Sequence, residues 1–229
     1  MSVRKKAPED LTAKKALALE VIRRLKAEYP DAGCTLDYDH AWQLLVSVRL
    51  AAQCTDARVN IVVEELFAKY PSVAALAAAE PEDIEAIVKP CGLGHSKARD
   101  ISACMRMLRD KYDCRVPNTF EELLALPGVG RKSANLIMGD MFGKPAIVTD
   151  THCIRLCNKI GLVDGVKEPQ KVEMALWKII PPEEGSDLCH RFVMHGRAVC
   201  NARKPECEKC CLKDICRTAR EAAGQQAEP

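Results

Sequence analysis

Three stretches of the chain hold residue types able to do chemistry. The first is LPGVGRKSA, residues 126–134, where a proline and two glycines precede Arg131 and Lys132 at the start of a helical pattern. Gly128 and Gly130 remove Cβ atoms where a ligand could approach, with Val129 between them, and the helix that follows offers first-turn N–H groups and a partial positive charge. Such a turn is an anion site, with phosphate the expected anion. The same residues also make an ordinary helix–helix connection whose glycines satisfy only the backbone. At 100° per residue Ala134, Ile137, Met138 and Met141 fall opposite Lys132, so the lysine points away from its own helix's apolar stripe. An outward lysine is commonly just solvated. Here Arg131 and the helix N-terminus both disfavour the ammonium form and favour the neutral amine that a nucleophile requires.

The second stretch, IVTDTHCIRLCNKIGL, sets Asp150 directly before a helix carrying Ile154, Leu156 and Ile160. Aspartate is a preferred N-cap, and a capping carboxylate is held rigidly and kept ionised by the amides it accepts from. Capping and chemistry are compatible: a fixed anion near a neutral lysine stabilises an oxocarbenium-like sugar and shuttles protons. The third stretch spaces Cys200, Cys207, Cys210 and Cys216 as C-x6-C-x2-C-x5-C, with Cys211 as an extra neighbour. Four thiols this close suggest a metal centre. Zinc usually shows two C-x2-C pairs or a Cys/His mixture, whereas uneven spacing suits a cubane whose irons take one thiolate each. Arg197, Arg203, Lys204 and Lys209 surround the cluster, either as a solvated loop or as a basic finger for a nucleic-acid backbone.

The elements that must hold these groups are helical. The 229 residues suit one large or two small domains, with ordinary globular proportions of 48% hydrophobic and 29% charged residues. A net charge of +2 neither demands nor excludes a polyanionic partner, so a nucleic-acid site must rest on local patches. The basic N-terminus, MSVRKKAPEDLTAKK, lacks a signal-peptide core, and no run is apolar enough to span a membrane, which points to a cytosolic chain. Thirteen cysteines in a reducing compartment are expected as buried thiols or metal ligands. Helical periodicity covers residues 12–28 with Thr12 as cap, 40–52, the run from Val59 to Phe67, two short runs before Pro90, and Ser96 to Tyr112 with Ile101, Cys104, Met105 and Leu108 inward. Only AIVT at 146–149 resembles a strand, and it is too short and isolated to build a sheet. The fold class is all-α, with FGKPA as the best internal boundary.

Taken together, SVRLAAQCTDARVN, CGLGHSKA, LPGVGRKSANLIM, VTDTHCIRLCNKIGL and MHGRAVCNARKPECEKC resemble the endonuclease III family of helix-hairpin-helix DNA glycosylases over essentially the whole length. The resemblance implies a bifunctional base-excision repair enzyme that releases oxidised or damaged pyrimidines from duplex DNA through a lysine Schiff base, then cleaves by β-elimination. It implies Lys132 as nucleophile, Asp150 as the essential carboxylate, and a [4Fe-4S] cluster on Cys200, Cys207, Cys210 and Cys216. Gln53 matches the residue that fills the gap left by the extruded base, Leu93 the wedge on the opposite side, and His152 a pocket-edge residue near the phosphate. With the hairpin residues Gly128, Val129, Gly130 and Arg131, and with Arg203 and Lys204, these make the expected DNA contacts. Two lobes are implied, a six-helix barrel over residues 34–144 and a cluster domain over 1–33 and 145–229, with the active site in the cleft between them. The expected partner is double-stranded DNA bearing damaged bases or abasic sites, met by a monomer at the nucleoid of a bacterial-type cytoplasm. Gly94 departs from the pattern, since a bulkier side chain is common there. A monofunctional adenine-mismatch glycosylase shares fold, aspartate and cluster but generally lacks the lysine and carries a further C-terminal domain. A non-catalytic hairpin module leaves Lys132 and Asp150 unexplained.

Overall fold

The computed structural model describes residues 11–224, and among them every regular element is a helix. The AIVT run forms no regular element; Ala146, Ile147, Val148 and Thr149 are all buried, and the Val148 amide donates to Cys189 Sγ at 3.2 Å. Its apolar character therefore reflects burial of a connector. None of the described helices is long and apolar enough to cross a membrane.

The chain divides into two compact units, with breaks between Gly33 and Cys34 and between Lys144 and Pro145. The Cys34–Lys144 unit contains α2 (Ala41–Leu50), α3 (Asp56–Lys69), α4 (Val73–Ala78), α5 (Pro81–Val88), α6 (Gly94–Lys111), α7 (Phe120–Ala125) and α8 (Arg131–Phe142). Local chemistry sets their starts. Thr55, Ser72 and Thr119 each accept a backbone N–H three residues on, and Pro81 opens α5 where its missing N–H is harmless. Helix α2 stops at Leu50, two residues short of its periodic pattern, because Gln53 turns left-handed at φ 57° before Thr55 caps α3. The long α6 packs on α4, α5 and α2, burying Ile101, Met105 and Leu108 against Leu44, Leu50, Leu76 and Ile84. Each such side chain contributes about 1.5–3 kcal/mol by leaving water, so α6 is the spine to which the surrounding turns are fixed.

The second unit contains α1 (Leu11–Glu28), α9 (Thr151–Ile160), α10 (Pro169–Leu176), α11 (Gly185–Ala198) and α12 (Arg217–Ala222). Thr12 lies inside α1. Helix α11 packs on α1 and α9, with Phe192 and Leu188 buried beside Val21, Leu25 and Leu156. Gly185 is required at its start, because a Cβ there would meet the Ala146 carbonyl oxygen at 2.5 Å.

Candidate active site

Helices α7 and α8 with the turn between them form the hairpin, and its two glycines do different work. Gly128 sits at φ 75°, and a Cβ there would stand 2.9 Å from Asp100 Cβ and 3.1 Å from Arg49 Cδ. Those two side chains form an ion pair in which Arg49 Nε donates to Asp100 Oδ2 at 2.7 Å, while Arg49 Nη2 reaches Ser96 Oγ at 3.1 Å. The turn therefore rests on a bridge between α2 and α6, and Gly128 is needed by the protein itself. Gly130 is the N-cap of α8, at φ −99°, and a Cβ there would meet nothing within 4 Å. With no capping side chain, the first-turn amides of α8 face a space this unit leaves open. Val129 is half-buried.

Lys132 follows on the exposed side of α8, while Ala134, Asn135 and Ile137 are buried on the other. Asn135 enlarges the buried stripe beyond its apolar members. The Arg131 guanidinium lies over the Phe120 ring at 4.8 Å, which orients that cation across the hairpin.

Gln53 and Leu93 are both exposed, and both adopt left-handed backbone, at φ 57° and 51°. Leu93 is 57% exposed, unusual for a leucine at the start of a helix. The departure at Gly94 has a local cause: a Cβ there would lie 3.2 Å from Lys89 Cα, so α6 begins pressed against the end of α5.

Asp150 lies in the other unit and caps α9, its Oδ1 accepting from the Cys153 amide at 2.7 Å. His152 follows in the first turn, and Gly196 of α11 makes room for it, since a Cβ there would stand 2.3 Å from His152 Nδ1. Arg155, one turn further on, donates from Nη2 to the Cys200 carbonyl at 2.6 Å, and the Lys159 carbonyl accepts from Cys216 Sγ at 3.4 Å. Helix α9 is thus tied at two points to the cysteine loop. Cys153 and Cys189 are buried behind Asp150, and their thiols are held well above the ordinary range, each by a hydrogen bond shared with a neighbouring thiol, Cys157 for Cys153 and Cys153 for Cys189, together with burial.

Cys200, Cys207, Cys210 and Cys216 line one cavity of about 40 Å³, together with Lys159, Val199, Pro205 and Lys213. Burial pushes the Cys200 thiol up, and burial with its neighbouring thiols pushes Cys210 up to about 11. Four thiols ringing one space form a donor set suited to a cationic group. Among the described residues no three His, Cys, Asp or Glu side chains converge as they would on a single ion. Cys211 lies outside the cavity lining. Arg203 and Lys204 are exposed in the loop between the first two cysteines, whose turn is held by the Lys204 amide donating to Asn201 Oδ1 at 2.7 Å.

Several supporting residues carry weak sequence signals. His195 is buried, which lowers its pKa, and it joins Cys210 Sγ at 3.3 Å to the Tyr29 hydroxyl at 3.0 Å. Arg49 stands out in sequence only as one cation in an apolar helix, and Arg155 as one of several basic residues in α9.

Comparison with known proteins is consistent over nearly the full length. Residues 46–182 match the model of the HhH-GPD superfamily base excision DNA repair proteins. The chain is 42% identical over 210 residues to endonuclease III of Synechocystis, covering 91% of this chain and 95% of that one. It is 38% identical over 202 residues to endonuclease III of Escherichia coli, covering 88% and 95%. Among solved structures, a trapped endonuclease III–DNA covalent intermediate superposes with a TM-score of 0.86 at 39% identity, covering 91% of this chain and 98% of that one. A thermostable thymine-DNA glycosylase, at 23% identity and a TM-score of 0.81, shares the fold. The chain belongs to the HhH-GPD superfamily of base excision DNA repair proteins, among the endonuclease III sequences.

Proposed function

We propose that Lys132 is the nucleophile and Asp150 the assisting carboxylate of this base excision repair glycosylase and abasic-site lyase, acting on oxidised or fragmented pyrimidines in duplex DNA. The observation that carries the assignment is Lys132 itself, exposed one residue into a helix whose N-cap, Gly130, is open to a ligand. The similar endonuclease III–DNA structure is a trapped covalent intermediate, the species an amine nucleophile forms.

In this reading the amides around Gly128, Val129 and Gly130 bind a phosphate, and Arg131, His152, Arg203 and Lys204 add backbone contacts. The damaged nucleotide leaves the stack at a cost of about a few kcal/mol, least for a base that pairs or stacks poorly. Gln53 and Leu93 enter the duplex where it opens. Lys132 Nζ attacks C1′, the C1′–N glycosidic bond breaks, and Asp150 assists the departing base by holding charge and moving a proton. The sugar ring then opens: the C1′–O4′ bond breaks, O4′ takes up a proton and the attached amine loses one, which leaves an imine between Lys132 Nζ and C1′. Removal of a C2′ proton then expels the 3′ phosphate, and water releases the lysine.

The four cavity thiols fit a [4Fe-4S] group, one thiolate to each iron, with Cys200, Cys207, Cys210 and Cys216 as ligands. When bound, such a group supplies cross-linking of the loop that presents Arg203 and Lys204. The enzyme is expected to act as a monomer in a bacterial-type cytoplasm.

Borohydride reduction on a duplex bearing an abasic site tests the assignment. The protein is expected to attach covalently to DNA, and Lys132→Ala to lose attachment, base release and strand cleavage together. A Lys132→Ala protein that cleaves at the normal rate refutes it.

A further inference from the structure

Lys97 has no exposed surface, although its neighbours on α6 include solvent-facing His95, Ser96 and Arg99. It occupies the apolar stripe that continues through Ile101, Cys104, Met105 and Leu108, where an aliphatic residue would complete the core. Its ammonium group donates to two backbone carbonyls, Leu50 O and Cys91 O, each at 2.8 Å. Leu50 ends α2, three residues before Gln53. Cys91 ends a short 3-10 turn, two residues before Leu93. One buried nitrogen therefore holds together the stems of two turns otherwise far apart in the chain, their carbonyl oxygens no more than twice 2.8 Å from each other.

Both turns need such a fastening. Gln53 and Leu93 are non-glycine residues in left-handed backbone, a conformation that persists only where the surroundings impose it. Their side chains point to solvent, so packing of those side chains does not impose it. Burying a cation in an apolar stripe is costly unless it is fully hydrogen-bonded. A methionine of similar length would fill the same space without that cost but could hold neither carbonyl. The lysine's specific contribution is the link.

We propose that Lys97 is a positioning residue that fixes the Gln53 and Leu93 turns in one mutual geometry, so that both side chains enter the duplex in register. The proposal rests on the assignment of Gln53 and Leu93 as the residues that enter DNA. Lys97 touches no DNA and takes no part in the sugar chemistry. A single-stranded abasic site has no opposite base and no closed stack, so attack by Lys132 there needs neither turn. A duplex site needs both at once.

The test compares borohydride trapping by the wild-type protein and Lys97→Met on an abasic site in single-stranded and duplex DNA, the duplex carrying 2-aminopurine opposite the site. Misplacing a group by about 1 Å costs up to about a hundredfold, so duplex trapping should fall at least about tenfold while single-strand trapping stays within about threefold. The rise in 2-aminopurine fluorescence on binding should be lost in parallel. Equal losses on both substrates, or no loss on either, overturn the proposal. Gln53→Ala and Leu93→Ala measured alongside separate the two readings. If they are defective while Lys97→Met is normal, the positioning role fails alone; if all three are normal, the assignment of the two turns fails and this proposal with it. Where Lys97→Met accumulates poorly, Lys97→Gln is measured in the same way, and loss of single-strand trapping by both variants refutes a role confined to the turns.

Discussion

The two hairpin glycines give a prediction in which one turn yields opposite results. Gly128→Ala places a Cβ 2.9 Å from Asp100 Cβ and 3.1 Å from Arg49 Cδ, and it forces a residue with a side chain to adopt φ 75°. Left-handed backbone costs a non-glycine residue about 1–2 kcal/mol, and overpacking a tight contact about 1–3 kcal/mol. The neighbours cannot yield freely, since Arg49 is held both to Asp100 at 2.7 Å and to Ser96 at 3.1 Å. The combined loss is about 2–5 kcal/mol, which in a chain of this length lowers the melting temperature by roughly 4–20 °C. Gly130→Ala meets no atom within 4 Å and keeps an ordinary φ of −99°. Its cost as an N-cap change is below about 1 kcal/mol. The methyl group does, however, occupy the space in front of the first-turn amides of α8, where a phosphate oxygen must come within about 3 Å of a backbone nitrogen. Thermal unfolding followed by circular dichroism and DNA affinity measured by fluorescence anisotropy at fixed salt separate the two effects. Gly128→Ala should melt early. Gly130→Ala should melt normally and bind at least about tenfold more weakly, the loss of roughly one charge-assisted hydrogen bond. Normal affinity in Gly130→Ala refutes phosphate binding at this turn, and a normal melt for Gly128→Ala refutes the steric account of its glycine.

Three further outcomes follow from the other unit. Asp150→Asn keeps an N-cap acceptor for the Cys153 amide, so melting should be nearly unchanged while base release falls by about 10²–10⁴-fold; equal activity in the two proteins would leave Asp150 as a cap alone. Cys207→Ala, which removes one of the four cavity thiols, should lower both stability and DNA affinity, read by melting and anisotropy, and a stable variant of normal affinity would separate the cysteine loop from DNA binding. Glu20 is held down to about 2, below its ordinary 4.5, by hydrogen bonds from Arg23 and Arg24. Its stabilising contribution is therefore fully present above pH 4.5 and fades as pH falls toward about 2; the melting difference between wild type and Glu20→Gln should shrink over that window, and a constant difference would refute the linkage.

The helices, the Asp150 cap and the outward face of Lys132 are legible in the sequence because each is a local property. Periodicity places Ala134 and Ile137 opposite Lys132, and capping chemistry marks Asp150, without knowledge of any partner. Lys97 shows where that reasoning stops. Its spacing to Ile101, Cys104, Met105 and Leu108 puts it on the buried stripe, so the sequence contains the anomaly, but composition rules treat a lysine as surface. What resolves the anomaly is the pair of carbonyls at Leu50 and Cys91, supplied by segments 47 and 6 residues away. The same holds for Gly128, whose turn signature is local but whose steric necessity comes from Arg49 and Asp100, and for Gly196, whose missing Cβ makes room for His152. Caps and helix faces are thus readable from type and spacing, while contacts such as these run through backbone atoms and voids that a sequence does not show. Long cations make several of these contacts: Lys97 and Arg49 in one unit, Arg155 in the other. A long cation reaches distant carbonyls and carboxylates through a flexible stem, and each hydrogen bond it makes there ties together segments that apolar packing alone would leave free to shift.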